Sequence, residues 1–176
     1  MMIRNLLKSA SLVMMFTLLL VGCSDDEEMK NGVTELEEAH DFAEAFLTKF
    51  YDTENVTVDL ENPDEMIDYM NEFKAYLTEE EFDELNTTRQ FLIPLEITEA
   101  RNSPLTIKDM DVAAESETDD EIKATFTVQL ASLQDEASDD IEVKGDMTIE
   151  REEDDKLMIS RYYHNGLPLD ESELEE

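Results

Sequence analysis

The residue with the most clearly defined chemistry is Cys23, the only cysteine in the chain. It ends the segment Leu20-Val21-Gly22-Cys23, which closes an apolar run that starts at Ala10 and follows two basic residues. A basic start, a short apolar core and small residues at the break are typical of a secretory signal peptide. The run is short for a membrane span, since a helix needs about 20 apolar residues to cross the bilayer. We therefore expect cleavage after residues 1–22.

The segment Leu20-Val21-Gly22-Cys23 resembles a bacterial lipobox, with Val21 where lipoboxes most often have alanine or serine. The resemblance implies a bacterial lipoprotein whose Cys23 sulfur carries a diacylglycerol. Its two acyl chains would hold the protein on the extracytoplasmic face of the cell membrane, or at the outer membrane of a two-membrane cell. The thiol would then be consumed as a thioether, which leaves none for a disulfide, a metal or a nucleophile. The alternatives are an uncleaved signal anchor and a buried core cysteine.

The charge of the chain excludes one class of partner. Forty-seven acidic residues against 13 lysines and arginines give a formal net charge of −34. Such a charge repels phosphate backbones, so nucleic-acid binding is not expected. The acids are spread along the chain, which favours a role in solvation over a cation-binding surface or a docking face for a basic partner. The acidic segments 52–55 and 115–121 lack the central glycine of a calcium loop, and we predict neither a metal site nor a cofactor.

The two histidines are the remaining candidates for chemistry. His40 lies on the apolar face of a predicted helix, where it is either a general base in a pocket or a core-edge residue with one hydrogen bond. His164 ends the cluster Arg161, Tyr162, Tyr163 and His164, an aromatic and basic patch in an acidic chain. This cluster is either a contact site for a partner or a local cap on a sheet edge. Two distant histidines without cysteine are too few for a zinc site.

The first half of the domain has helical spacing. Thr34 and Glu37 form a capping box, and apolar residues at helical intervals predict a helix from Thr34 to Asp52. Asn62 as cap with Pro63 in the first turn predicts a second helix. Its expected buried stripe consists of Met66, Ile67, Met70, Phe73 and Leu77. Thr78 and Glu81 form another capping box and predict a short third helix.

The second half has the two-residue period of β-strands. Apolar and polar residues alternate over residues 122–130 and again over 141–149, which predicts two half-buried strands. Residues 105–114 and 157–163 are expected to form two more strands. Residues 91–97 are a weaker candidate, which Pro94 restricts to a sheet edge or a bulge. Helices followed by an antiparallel meander predict an α+β fold with N-terminal helices packed on a curved antiparallel sheet.

The order of elements over residues 33–163 resembles the nuclear transport factor two-like, or cystatin-like, superfamily. The helix junction Tyr76-Leu77-Thr78-Glu79-Glu80-Glu81-Phe82 and the closing hairpin of residues 147–160 contribute to the resemblance. It implies a cone-like domain with a pocket. Enzymes of this superfamily place an acid or a histidine in the cone, but the residues expected to point inward on the two clearest strands are apolar or glycine. No catalytic residue is therefore carried over.

The sequence thus predicts four segments: a signal peptide at 1–22, the lipidated cysteine with a flexible acidic tether at 23–32, the α+β domain at 33–167 and an acidic tail at 168–176. The leading hypothesis is a lipid-anchored extracytoplasmic binding module. It would attach to the membrane through the lipid on Cys23 and contact an envelope protein or a small ligand. The alternative is a cone-pocket enzyme of the ketosteroid isomerase-like or polyketide cyclase-like type.

Overall fold

The structure is a computed structural model that describes residues 25–116, 118, 121–132, 140–152 and 155–167. The predicted signal peptide, Cys23 and the acidic tail lie outside the described residues. The chain divides into two compact units, Met1–Thr34 and Glu35–Glu176. All the packing discussed below lies within the second unit.

The described residues form four α-helices followed by four β-strands. Their bounds are α1 Asp25–Tyr51, α2 Pro63–Asn71, α3 Glu79–Thr87, α4 Ile93–Arg101, β1 Leu105–Ser116, β2 Glu121–Ser132, β3 Ile141–Arg151 and β4 Leu157–His164. Short 3₁₀ helices occupy Glu72–Ala75 and Gln90–Leu92. The strands form one open antiparallel sheet in the order β1-β2-β3-β4, against which the helices pack. The predicted α+β class is confirmed.

Helix α1 begins at Asp25, well before the predicted start at Thr34, and it ends at Tyr51. The capping box expected at Thr34 therefore lies inside a continuous helix, and the predicted tether is helical from Asp25 onward. A capping-box pattern permits a helix to begin at that point but does not prevent a helix that began earlier from continuing through it.

The cap of α2 was predicted correctly, but only the Thr78 half of the capping box predicted for α3 is present, because the Glu81 carboxylate accepts from Tyr162 and the N–H of Thr78 donates to the carbonyl of Ile159. Asn62 accepts a hydrogen bond from the backbone N–H of Asp64 at 3.2 Å, and Pro63 lies in the first turn. Thr78 caps α3 by accepting from the N–H of Glu81 at 3.4 Å. The expected burial of Ile67 is wrong, because its side chain is 51% exposed and Tyr69 is buried instead. Residues two apart on a helix point to different sides, so Tyr69 and Ile67 cannot share one buried stripe.

The strand expected at residues 91–97 is also wrong. Phe91 lies in a 3₁₀ helix, and α4 starts at Ile93 with Pro94 in its first turn. Proline fits that position because the first N–H groups of a helix have no intrahelical acceptor. The same residue that weakened the strand prediction thus belongs to a helix start.

The alternation predicted for β2 and β3 is present, and it directs one row of side chains towards the helices. Gly145 of β3 lies opposite Phe126 of β2, and a Cβ atom at Gly145 would be only 2.5 Å from Cζ of the phenylalanine. The missing side chain therefore gives space to the Phe126 ring. That ring stacks on Tyr162 of β4 with a centroid separation of 5.7 Å and an interplanar angle of 4°.

Candidate functional site

Strand β4 carries the four residues of the predicted contact patch and divides them between two faces of the sheet. Tyr162 is only 7% exposed on the inner face, which the helices cover, and His164 is half-buried on the same side. Arg161 and Tyr163 lie on the outer face, where Tyr163 is 58% exposed. The structure therefore does not bring the four residues together as one surface. Of these four residues, Arg161 and Tyr163 are the two that are exposed to solvent.

The inner half of the patch forms a buried tyrosine pair. The hydroxyl of Tyr162 lies 2.6 Å from the hydroxyl of Tyr51, the last residue of α1. Loss of solvent raises the pKa of both phenols well above their ordinary value, so both are protonated at neutral pH. One hydroxyl donates and the other accepts. The bond ties the end of α1 to the last strand.

Glu81 is a buried acid that connects α3 to β4. It is 5% exposed, and its Oε1 accepts a hydrogen bond from the backbone N–H of Tyr162 at 2.8 Å. Burial is the main cause that raises the pKa of its carboxyl group, and the bond to Tyr162 opposes the rise. The capping-box prediction identified the Thr78 half of the cap but not this role. A signal for it was present, because Glu81 shares a helix face with the apolar residue Leu85 four positions later.

His164 uses both ring nitrogens locally. Its Nδ1 accepts from the N–H of Gly166 at 3.1 Å, which places the ring proton on Nε2, where Gln90 Oε1 lies 3.2 Å away. Burial lowers the pKa of the imidazole, so it is neutral at physiological pH. Its ring centroid lies 5.5 Å from that of Tyr162. With both nitrogens bonded, His164 closes the end of the sheet and has no free lone pair for general base chemistry.

His40 is partly exposed on α1. Its side chain is 38% exposed, with Asp41 Oδ1 at 3.4 Å from Nδ1 and Glu44 Oε1 at 3.7 Å from Nε2. One ligand atom from each of the three residues lies within 4.8 Å of the others. All three belong to one helix, Asp41 is exposed while His40 and Glu44 are partly exposed, and acidic groups at a surface are common without a metal. The geometry therefore favours the core-edge interpretation of His40.

The outer face of the sheet is polar at its centre and aromatic at β4. The outward residues of β2 include Lys123, Thr125, Thr127 and Gln129, which alternate with buried residues as predicted. Cross-strand neighbours of Tyr163 and Arg161 on β3 are Asp146 and Thr148. The exposed ring of Tyr163 is therefore an apolar group that solvent can reach, surrounded by polar side chains. Protein–protein interfaces are enriched in aromatic residues and have a polar rim, and this surface has both features.

No protein-family model, curated protein or solved structure matches the chain. The lipobox and the superfamily resemblance therefore stay predictions from the sequence. None of the helices in the described residues combines the length and the apolar character that a membrane crossing requires.

Proposed function

We propose that the protein is a lipid-anchored extracytoplasmic interaction module that contacts an envelope protein through the outer face of its sheet. The observation that carries the proposal is the exposure of Tyr163 beside Arg161 on the face opposite the helices. Tyrosine and arginine are enriched where proteins bind one another, because each offers apolar area together with hydrogen-bonding groups. The anchor at Cys23 rests on the lipobox resemblance.

The inner face offers less support for a pocket enzyme. The tyrosine hydroxyls bond to each other, Glu81 Oε1 bonds to a backbone N–H, and both nitrogens of His164 have partners. The space between them is occupied by stacked and edge-on rings, including Phe46, whose ring centroid is 5.1 Å from that of Tyr162. These groups are engaged in holding elements together. Their arrangement therefore favours an interaction module over the enzyme alternative.

The contact surface can be tested by site-specific photo-cross-linking in intact cells. A photoreactive phenylalanine replaces Tyr163 in one variant and Ile67, an exposed residue on α2, in the matched control. We expect one reproducible cross-linked protein from position 163 that is absent from position 67 and reduced by Arg161→Ala. Tyr162 is unsuitable for this test because it belongs to the core. The same products from both positions, or none from position 163, would contradict the proposal.

The anchor is tested separately. Cys23→Ser should abolish the diacylglyceryl thioether in intact-mass spectra and shift the protein out of the lipid-anchored membrane fraction. Ser24→Ala changes the adjacent residue and keeps the cysteine, so it should behave as the unchanged protein. Membrane retention of Cys23→Ser, with a mass that differs from that of the unchanged protein only by the replacement of sulfur with oxygen, would show that the anchor is not a lipid on this residue.

A further inference from the structure

The two edges of the sheet differ in how their backbone groups are satisfied. At the β4 edge, the N–H of Ile159 donates to the carbonyl of Tyr76 at 2.8 Å, and its carbonyl accepts from the N–H of Thr78 at 3.0 Å. The Glu81 carboxylate occupies the N–H of Tyr162 further along the same strand. This edge is therefore covered by the junction before α3 and by α3 itself.

At the β1 edge, among the residues that the structure describes, only Leu105, the first residue of the strand, is covered in this way. Thr53 donates its N–H to the carbonyl of Leu105 at 3.0 Å, and its Oγ1 accepts from the N–H of Leu105 at 2.8 Å. The backbone of Leu105 thus points away from β2. Leu105 lies opposite Ser132 of β2, so the backbone groups of Ser132 point away from β1. Because this orientation alternates along a strand, the backbone groups of every second β2 residue from Ser132 back to Ala124 also point away from β1.

That register determines which backbone N–H and C=O groups further along β1 are not bonded to β2. Met110, Val112 and Ala114 pair with such β2 residues, so their N–H and C=O groups also point away from β2. In the part of the chain that the structure describes, β2 is the only strand paired with β1. An edge with a row of unpaired donors and acceptors is a template for an added strand.

The side chains along this edge specify what kind of strand would fit. Asp109, Asp111 and Glu115 are exposed on the outer face. The intervening side chains on the inner face are apolar and half-buried or buried: Met110, Val112 and Ala114. A strand added here would meet carboxylates on one face and apolar groups on the other. A second copy of this chain would instead place acids beside acids, which is unfavourable for directly opposed residues.

We propose that residues 109–115 of β1 are a docking site for an extended segment of a partner protein in which lysine or arginine alternates with β-branched apolar residues. The added strand pairs with the backbones of Met110, Val112 and Ala114, and its basic side chains lie beside Asp109, Asp111 and Glu115. This surface is separate from the one at Tyr163 and does not depend on the function proposed above.

The probe is the synthetic peptide Lys-Val-Thr-Val-Lys-Val-Lys with a fluorophore on its N-terminus and an amidated C-terminus, which matches the edge in antiparallel register. Its binding to the full chain in a non-ionic detergent is followed by fluorescence anisotropy. The control peptide has the same charge but carries N-methyl groups on its three valines, whose N–H groups face β1. We expect it to bind at least about tenfold more weakly, because it cannot form those backbone bonds. Equal affinities would show charge attraction alone and overturn the proposal, as would no binding of the parent peptide.

Amide hydrogen exchange provides a direct readout of the pairing. We expect the peptide to slow exchange at Met110, Val112 and Ala114, whose N–H groups point away from β2, and to change Asp111 less, because its N–H already faces β2. Protection elsewhere with none at these three amides would place the peptide at another site. A peptide-independent dimer with protection of the same amides would assign the edge to self-association and also overturn the proposal.

Two charge-matched variants test the side-chain part. Asp111→Lys should weaken binding of the lysine peptide and favour the corresponding glutamate peptide, whereas Asp83→Lys, an exposed site on α3, changes the net charge equally and should leave the preference unchanged. Ala114→Pro removes one outward N–H without removing a bond to β2 and should weaken binding while thermal unfolding confirms the fold. Identical behaviour of Asp111→Lys and Asp83→Lys would contradict the proposed register.

Discussion

Tyr51 and Tyr162 share one hydroxyl contact of 2.6 Å inside a core built mainly of rings and aliphatic side chains. A buried hydroxyl that loses its partner keeps the cost of desolvation without the hydrogen bond. The two hydroxyls therefore stabilise the fold only when both are present. Their contribution to the free energy of unfolding can be measured by removing the oxygens separately and together.

We expect Tyr162→Phe and Tyr51→Phe each to lower the free energy of unfolding by about 1–3 kcal/mol. The double variant should lose little more than either single variant, because the second oxygen removed no longer has a partner. Denaturant unfolding of all four proteins completes the cycle. Tyr163→Phe, on the exposed face, is the control and should be close to neutral. Additive losses would show that the two hydroxyls do not interact.

Glu81 should give the protein a pH-dependent component of stability. Burial raises the pKa of its carboxyl group in the folded state, so the folded protein holds this proton more tightly than the unfolded chain. The associated stability is fully present below the unfolded pKa and is lost as the pH rises through the folded pKa. Glu81→Gln keeps an oxygen for the N–H of Tyr162 without the buried charge.

The free energy of unfolding of Glu81→Gln should therefore increase relative to the unchanged protein as the pH rises from about 4 to 8. Glu80→Gln removes the same charge from an exposed neighbour and should show a smaller change. Glu81→Ala should cost about 1–3 kcal/mol, because it leaves the N–H of Tyr162 unpaired. Parallel pH profiles for Glu81→Gln and Glu80→Gln would show that the buried carboxyl does not titrate as expected.

The sequence correctly predicts those features of the fold that are set by residues close together in the chain. The caps at Asn62 and Thr78 and the alternation in β2 depend on residues within a few positions, and these predictions are confirmed. The start of α1 and the helical state of α4 were missed, because capping and proline signals permit more than one local structure. The partner of Glu81 is 81 positions away in the chain, so no local pattern contains it.

The close packing of β2, β3 and β4 makes Gly145 a point where the sheet cannot accept a side chain. Gly145→Ala would place Cβ 2.5 Å from Phe126 Cζ and closer still to the carbonyl oxygen of Tyr163. We expect a loss of about 1–3 kcal/mol, measured by denaturant unfolding, because the neighbouring strand or ring must move. At Gly166 an added Cβ meets open space, and only its φ of +86° disfavours alanine, so Gly166→Ala should cost about 1 kcal/mol. A larger loss at Gly166 would contradict the packing argument.

At the scale of the whole molecule, charge opposes compactness. The chain has a formal net charge of −34, and self-repulsion of like charges is stronger in the folded state than in an expanded one. Some attraction offsets it, as at Arg151, which contacts Glu35, Glu38 and Asp155. Salt screens both effects, but the repulsion involves many more groups.

We therefore expect the melting temperature to rise when NaCl is increased from about 0.05 to 1 M. The measurement is differential scanning calorimetry at neutral pH, with KCl as a check that the effect is general screening. Arg151→Met should raise the salt sensitivity further, because it removes the cation that joins three acids. A melting temperature that falls with salt would mean that ion pairs outweigh repulsion.

The absence of tryptophan gives the buried tyrosines a practical value. The ultraviolet absorption near 280 nm comes mainly from five tyrosines, and Tyr51, Tyr69 and Tyr162 are buried. Tyr162 also lies nearly parallel to Phe126, so its ring has a fixed, asymmetric environment in the packed core. Near-ultraviolet circular dichroism therefore reports on the packing around these buried tyrosines, which include the pair that joins α1 to β4. The protein carries its own optical reporter for the packing of its core, without any added label.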